Sequence, residues 1–169
     1  MKLNPEILDG LNALINTELQ TAYLYLTVAC WCEQEGFHGF AYWFRIQAES
    51  EKRHGMILMD FINRRKNTVT PVEITVPEIK WKSIGTVFET CLENEKQVTR
   101  QIYALKKLIE EKEEFCAEGI AQWLLDKQIE KEDIFEEIHS QIEILGEHKS
   151  GLLVLDRRLK KRMLETAAV

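Results

Sequence analysis

Only three prolines occur in the chain, Pro5, Pro71 and Pro77, so two very long stretches contain nothing that forbids a helix. Glycine is scarce too, at 8 of 169 residues, which keeps helix interiors free of their other main disruptor. Apolar residues recur at helical spacing in four stripes. Ile7, Leu8, Leu11, Leu14, Ile15, Ala22, Leu26 and Ala29 form the first, with Pro5 where a helix would begin. Gly36 and Gly39 mark a tight turn before the second, Phe40, Phe44, Gln47, Leu58, Phe61 and Ile62. Ile84, Val87, Phe88, Cys91, Val98, Ile102, Leu105 and Ile109 form the third. The fourth is Ala121, Leu124, Leu125, Phe135, Ile138, Ile142 and Leu145, and a short fifth helix is expected from Leu152 to Leu164.

Between the second and third stripes, residues 67–81 read as extended. Val69, Val72, Ile74 and Val76 are β-branched, and two prolines stand among them. Connections this long without structure of their own are uncommon and need a reason. A helix of about thirty residues is about 45 Å long, and about fifteen extended residues reach about 50 Å. The strap can therefore run the whole length of a bundle and start a third helix parallel to the second. The expected fold is all-α, a single domain over 1–169, with two helical hairpins joined by one long crossover.

Composition narrows the function. Hydrophobic residues at 45% and charged residues at 30% are an ordinary soluble balance. The net charge of −6 disfavours nucleic acid, and Lys160, Lys161 and Arg162 read as a solvated helix end. No apolar run is long enough for a membrane span, and the first twelve residues are too polar for a secretory leader, so a cytoplasmic protein is expected. Cys30 and Cys32 would face different sides of a helix, and Cys91 and Cys116 are isolated. With no CxxC pair, buried reduced thiols are expected.

Each stripe is broken near its midpoint by a polar residue: Glu18 in the first, Glu51 and His54 in the second, Glu95 in the third, Gln128 in the fourth. Burying several carboxylates is costly unless a cation neutralises them. Glu51 and His54, three apart, share a helix face, the Glu-x-x-His arrangement of a di-iron bundle. Carboxylate oxygen with one imidazole suits iron or manganese, with zinc as a competitor. The spacing repeats: 77 residues separate Glu18 from Glu95, Glu51 from Gln128, and His54 from Lys131. The chain thus reads as two copies of one hairpin, with all these positions at one level. The copies are unequal, because Lys131 replaces the second His and a protonated lysine is a poor ligand. Glu18, Glu51 and His54 should form a good site. Glu51, Glu95 and the amide of Gln128 should form a weaker one, with Lys131 turned aside, snorkelling out, or paired with Glu95 or Glu130.

The stretches Asn16-Thr-Glu-Leu, Gln47-Ala-Glu-Ser-Glu-Lys-Arg-His54, Glu95, and Gln122-Trp-Leu-Leu-Asp-Lys-Gln128 resemble the non-haem ferritins of bacteria and archaea. The resemblance implies a ferritin-like bundle with a di-iron ferroxidase centre and a homo-oligomeric cage of twenty-four subunits. It makes Glu18, Glu51 and His54 ligands of the first iron, Glu51 and Glu95 ligands of the second, Gln128 the neighbouring amide, and Tyr25 a tyrosine beside the centre. Tyr25 also reads as a core aromatic with a bonded hydroxyl. No haem is expected, since Lys52 stands where bacterioferritins carry a haem-ligating Met. A third iron site is expected to be absent or weakened, because its positions read Ser50, Lys127 and Lys131, leaving Glu130 as its one carboxylate.

The implied activity is iron storage with oxidation of Fe(II), dioxygen or hydrogen peroxide taking the electrons and Glu51 bridging the ferric pair. Two other uses of the same bundle stay open: a storage or assembly subunit with a degraded centre, and a di-iron peroxidase.

Overall fold

The computed structural model describes residues 2–75, 80–146 and 148–167, the last six of them as backbone. Five α-helices follow in order: α1 (Pro5–Gln34), α2 (His38–Arg64), α3 (Ile84–Glu111), α4 (Glu118–Leu145) and α5 (Lys149–Ala167). A 3-10 turn at Phe115–Ala117 leads into α4. The four long helices have 27 to 30 residues each. The fifth begins three residues before its expected start and runs past its expected end.

Local signals explain the helix ends. Asn4 caps α1 by accepting the Glu6 N–H at 2.9 Å, and Pro5 occupies the first helical position, where no N–H is needed. Ser83 and Thr86 form a reciprocal capping box at the start of α3. Gly36, at φ 82°, makes the left-handed step that turns the chain from α1 into α2. Gly39 lies outside that turn, already inside α2, and serves a different purpose described below.

α1 pairs with α2 and α3 with α4, and α1 also lies against α3. The strap explains the order. Asn67 Oδ1 accepts from Leu3 N, Asn12 Oδ1 from Thr70 N, and Asn16 Oδ1 from Val72 N, while Gln20 Nε2 donates to the Thr75 carbonyl. The strap therefore travels along α1 in the direction of α1, opposite to α2. It ends where Trp81 packs edge-on against Trp31, with ring centroids 6.1 Å apart. From there α3 descends antiparallel to α1, with Asn94 donating to Thr21 and Thr17 to Gln101. It is thus parallel to α2, as the strap length allows. Residues 76–79 of the expected extended run, Val76 and Pro77 among them, lie outside the described residues.

The core is two apolar clusters. One packs Phe40, Trp43, Phe44, Phe88 and Phe135 with Tyr25, and the other packs Ile7, Leu11, Leu14, Leu58, Ile62 and Ile102. The expected stripes supply most of both. Leu26 departs from its stripe and is exposed, and Ala48 is buried where Gln47 is only half-buried. Cys32 and Cys91 are buried, but Cys30 is exposed and Cys116 half-buried, because the α1 face that buries Cys32 turns Cys30 outward.

α5 buries Leu152, Leu155 and Leu159 in the aromatic cluster, and one polar side chain ties it to the start of α2. Asp156 is buried, and its Oδ1 accepts the N–H groups of Gly39 and Phe40 at 2.8 Å each. The residue preceding α2, Phe37, makes no side-chain cap, so α2 is capped from α5. A Cβ on Gly39 would lie 1.8 Å from the Asp156 carbonyl oxygen, which explains the glycine. Asp156→Ala should lower stability by about 1–2 kcal/mol through loss of the cap. Gly39→Ala should cost more, because it must push α5 away. Denaturant unfolding orders the two variants, and equal stability of Gly39→Ala and wild type would contradict the contact.

Candidate metal centre

Six polar residues lie between the two apolar clusters, and every one is buried: Glu18 on α1, Glu51 and His54 on α2, Glu95 on α3, Gln128 and Lys131 on α4. Helical geometry brings them together. Glu51 and His54 are one turn apart, as are Gln128 and Lys131, so each pair shares a face.

One half of the cluster lacks partners. Glu18 Oε1 and Oε2, Glu51 Oε1 and His54 Nδ1 are buried atoms with no hydrogen-bond partner among the described residues. His54 Nδ1 lies 3.4 Å from both Glu18 Oε2 and Glu51 Oε2 without hydrogen-bond geometry. Donor atoms of Glu18, Glu51 and His54 all fall within 4.8 Å of one another, the one such group of three His, Cys, Asp or Glu side chains found among the described residues. Buried acceptors left unpaired are costly, and a divalent cation held by two carboxylates and an imidazole removes that cost. On the far side of the ring, Ser50 Oγ is 3.4 Å from His54 Nε2, and Trp123 stands edge-on to the imidazole with centroids 5.3 Å apart. Neither contact is legible from spacing alone.

The other half is internally satisfied. Glu95 Oε1 accepts the Tyr25 hydroxyl, and its Oε2 accepts Gln128 Nε2 at 2.6 Å. Gln128 Nε2 also reaches the Glu95 carbonyl at 3.0 Å. Tyr25 packs on Phe44 and Phe135, so it is both core aromatic and neighbour of the centre. Lys131 does not snorkel. It is 7% exposed, and its Nζ donates to Glu51 Oε2 at 2.6 Å and lies 3.4 Å from Glu95 Oε2. Glu51, rather than Glu95 or Glu130, is thus its nearest partner. Glu130 points outward and pairs with Lys127 at 2.7 Å, so the structure does not bring it to the cluster. A solvated ion pair is the better outcome for a residue on the exposed side of α4.

The electrostatics follow from these contacts. Burial raises the Glu51 carboxyl, but Lys131 and His54 outweigh it and hold the group down at about 2. Burial lifts Glu18 to about 7, even with His54 and Lys131 pulling it down. Burial alone would lower His54, yet Glu18 and Glu51 raise it to about 9. Burial likewise would lower Lys131, and Glu95, Glu51 and Glu18 overcome it, so the ammonium stays charged. Tyr25 is pushed well above its ordinary value, by burial first and then by Glu95, so it remains a donor.

The profile of the Ferritin-like domain family matches residues 8–145. The bacterial non-heme ferritin of Staphylococcus saprophyticus is 31% identical over 163 residues, 96% of this chain and 98% of its own length. That of Staphylococcus aureus is 29% identical over the same shares. Among solved structures, an open pore ferritin from Archaeoglobus fulgidus superposes with a TM-score of 0.91 at 31% identity, covering 94% of this chain and 98% of that one.

A ligating imidazole must offer a lone pair, so metal binding at neutral pH displaces the proton that the raised His54 value retains. Zn(II) binding at pH 7.5 should release about one proton per metal, and affinity should fall as pH drops through the Glu18 range. Calorimetry in buffers of different ionisation enthalpy measures the release; no buffer dependence would contradict it.

Proposed function

The chain belongs to the ferritin-like domain family, and from that premise we propose that it is an iron-storage subunit that captures Fe(II) at Glu18, Glu51 and His54 and oxidises it for storage in a homo-oligomeric cage. The observation that carries the site is the set of four buried, unpartnered donor atoms on those three residues. Two carboxylates neutralise one Fe(II), and the imidazole adds a neutral donor. Carboxylates also suit the ferric product, whose higher charge they stabilise. Each Fe(II) gives up one electron, and dioxygen or hydrogen peroxide from solution takes electrons and protons to end as peroxide or water. The ferric ion then leaves for the mineral.

A cage of twenty-four subunits and a cytoplasmic location belong to the same proposal. No helix among the described residues is long and apolar enough to cross a membrane. Sedimentation of the purified protein tests the assembly.

One observation favours a second reading, a storage subunit whose own centre does not oxidise iron: Lys131 bonds to Glu51, the carboxylate that an iron pair would share. Iron-free protein mixed aerobically with Fe(II) separates the two. The oxidising subunit should outpace a protein-free control. Glu18→Gln and His54→Ala, neither of which removes a direct Lys131 hydrogen bond, should each slow the reaction by about tenfold or more. Wild-type rates in both variants would sink the first reading; a wild type no faster than the control would establish the second.

A further inference from the structure

We infer that the Lys131 ammonium is a built-in cation standing in the second metal position, so that this centre binds one metal ion per subunit and not a pair. The inference rests on the iron-site reading above and concerns its stoichiometry. The oxygens expected to hold a second ion are Glu51 Oε2, Glu95 Oε2 and Gln128 Oε1. Lys131 Nζ lies 2.6, 3.4 and 3.5 Å from these three, respectively. An ammonium carries three protons and no acceptor, and here it faces three oxygens. A metal bound to the same carboxylates at about 2.1 Å would have to occupy the space the nitrogen fills.

Two further observations agree. Among the described residues the buried, unpartnered side-chain atoms all belong to Glu18, Glu51 and His54, whereas the side-chain oxygens of Glu95 already accept from Tyr25 and Gln128. One half of the centre asks for a cation and the other has its partners. The charges count the same way. With His54 neutral as a ligand, Glu18, Glu51 and Glu95 as carboxylates and Lys131 as ammonium leave a net charge of about −2, which one divalent ion cancels. A second divalent ion would leave about two positive charges in a buried site, against a fixed cation.

Co(II), which reports its coordination through visible absorption and is not turned over, tests this on the whole assembled protein. Wild type should bind one tight Co(II) per subunit, and His54→Ala should lose it. Lys131→Met, which keeps the length and removes the charge, should bind two. Two tight Co(II) in wild type overturns the inference, as does a folded Lys131→Met that stays at one. No tight Co(II) in wild type overturns the iron-site reading itself, and the inference with it. Should Lys131→Met fail to fold with Glu51 and Glu95 uncompensated, the wild-type and His54→Ala counts decide.

Discussion

The contact between Lys131 and Glu51 is the one on which the middle of this bundle depends. Three carboxylates meet at a single level with apolar clusters above and below. Without a compensating positive charge they would protonate or force the helices apart. Lys131 supplies that charge from within the chain, and Tyr25 and Gln128 complete the hydrogen bonding of Glu95. A buried ion pair seldom adds stability over a well-packed apolar alternative. Its value here is that it leaves two of the carboxylates, with His54, organised around unsatisfied atoms instead of collapsed onto one another.

The same arrangement links fold to chemistry through α2. That helix carries Glu51 and His54, packs along α1, and has its first turn capped by Asp156 of α5. Helix ends fray unless their free N–H groups are bonded. The α5 cap therefore steadies the beginning of the helix whose middle holds two of the three donors. The aromatic cluster of Phe40, Trp43, Phe44, Phe88 and Phe135 fills the space between the cap and the centre.

Much of this was legible in the sequence, and each departure has its own physical cause. Stripe periodicity and proline placement give the four long helices and the strap, because both depend on backbone geometry alone. The 77-residue repeat brings Glu18, Glu51, Glu95 and Gln128 to one level for the same reason. What spacing cannot give is the direction of a long side chain. Lys131 and Glu130 are adjacent, and only the packed structure shows one turned inward to Glu51 and the other outward to Lys127. Gly39 looked like a turn residue beside Gly36, since close approach by a distant helix leaves no local trace. Leu26 and Cys30 are apolar side chains on an exposed face, a choice that periodicity does not forbid.

The strap along α1 has a consequence for how such chains can change length. Asn12 and Asn16 are four residues apart on a helix, a climb of about 6 Å. Their strap partners, Thr70 and Val72, are two residues apart in extended chain, about 6.6 Å. Over this stretch the two repeats are nearly commensurate, so Asn12 and Asn16 read Thr70 and Val72 much as a neighbouring strand would, while Gln20 meets the strap three residues further on at the Thr75 carbonyl. A surface connection normally absorbs an insertion anywhere. In this one, a single residue added between Thr70 and Val72 would offer Asn16 a backbone group facing the wrong way, whereas two added residues would restore the alternation and form a bulge. Between Thr70 and Val72 the crossover, although it forms no helix or strand there, has a reading frame.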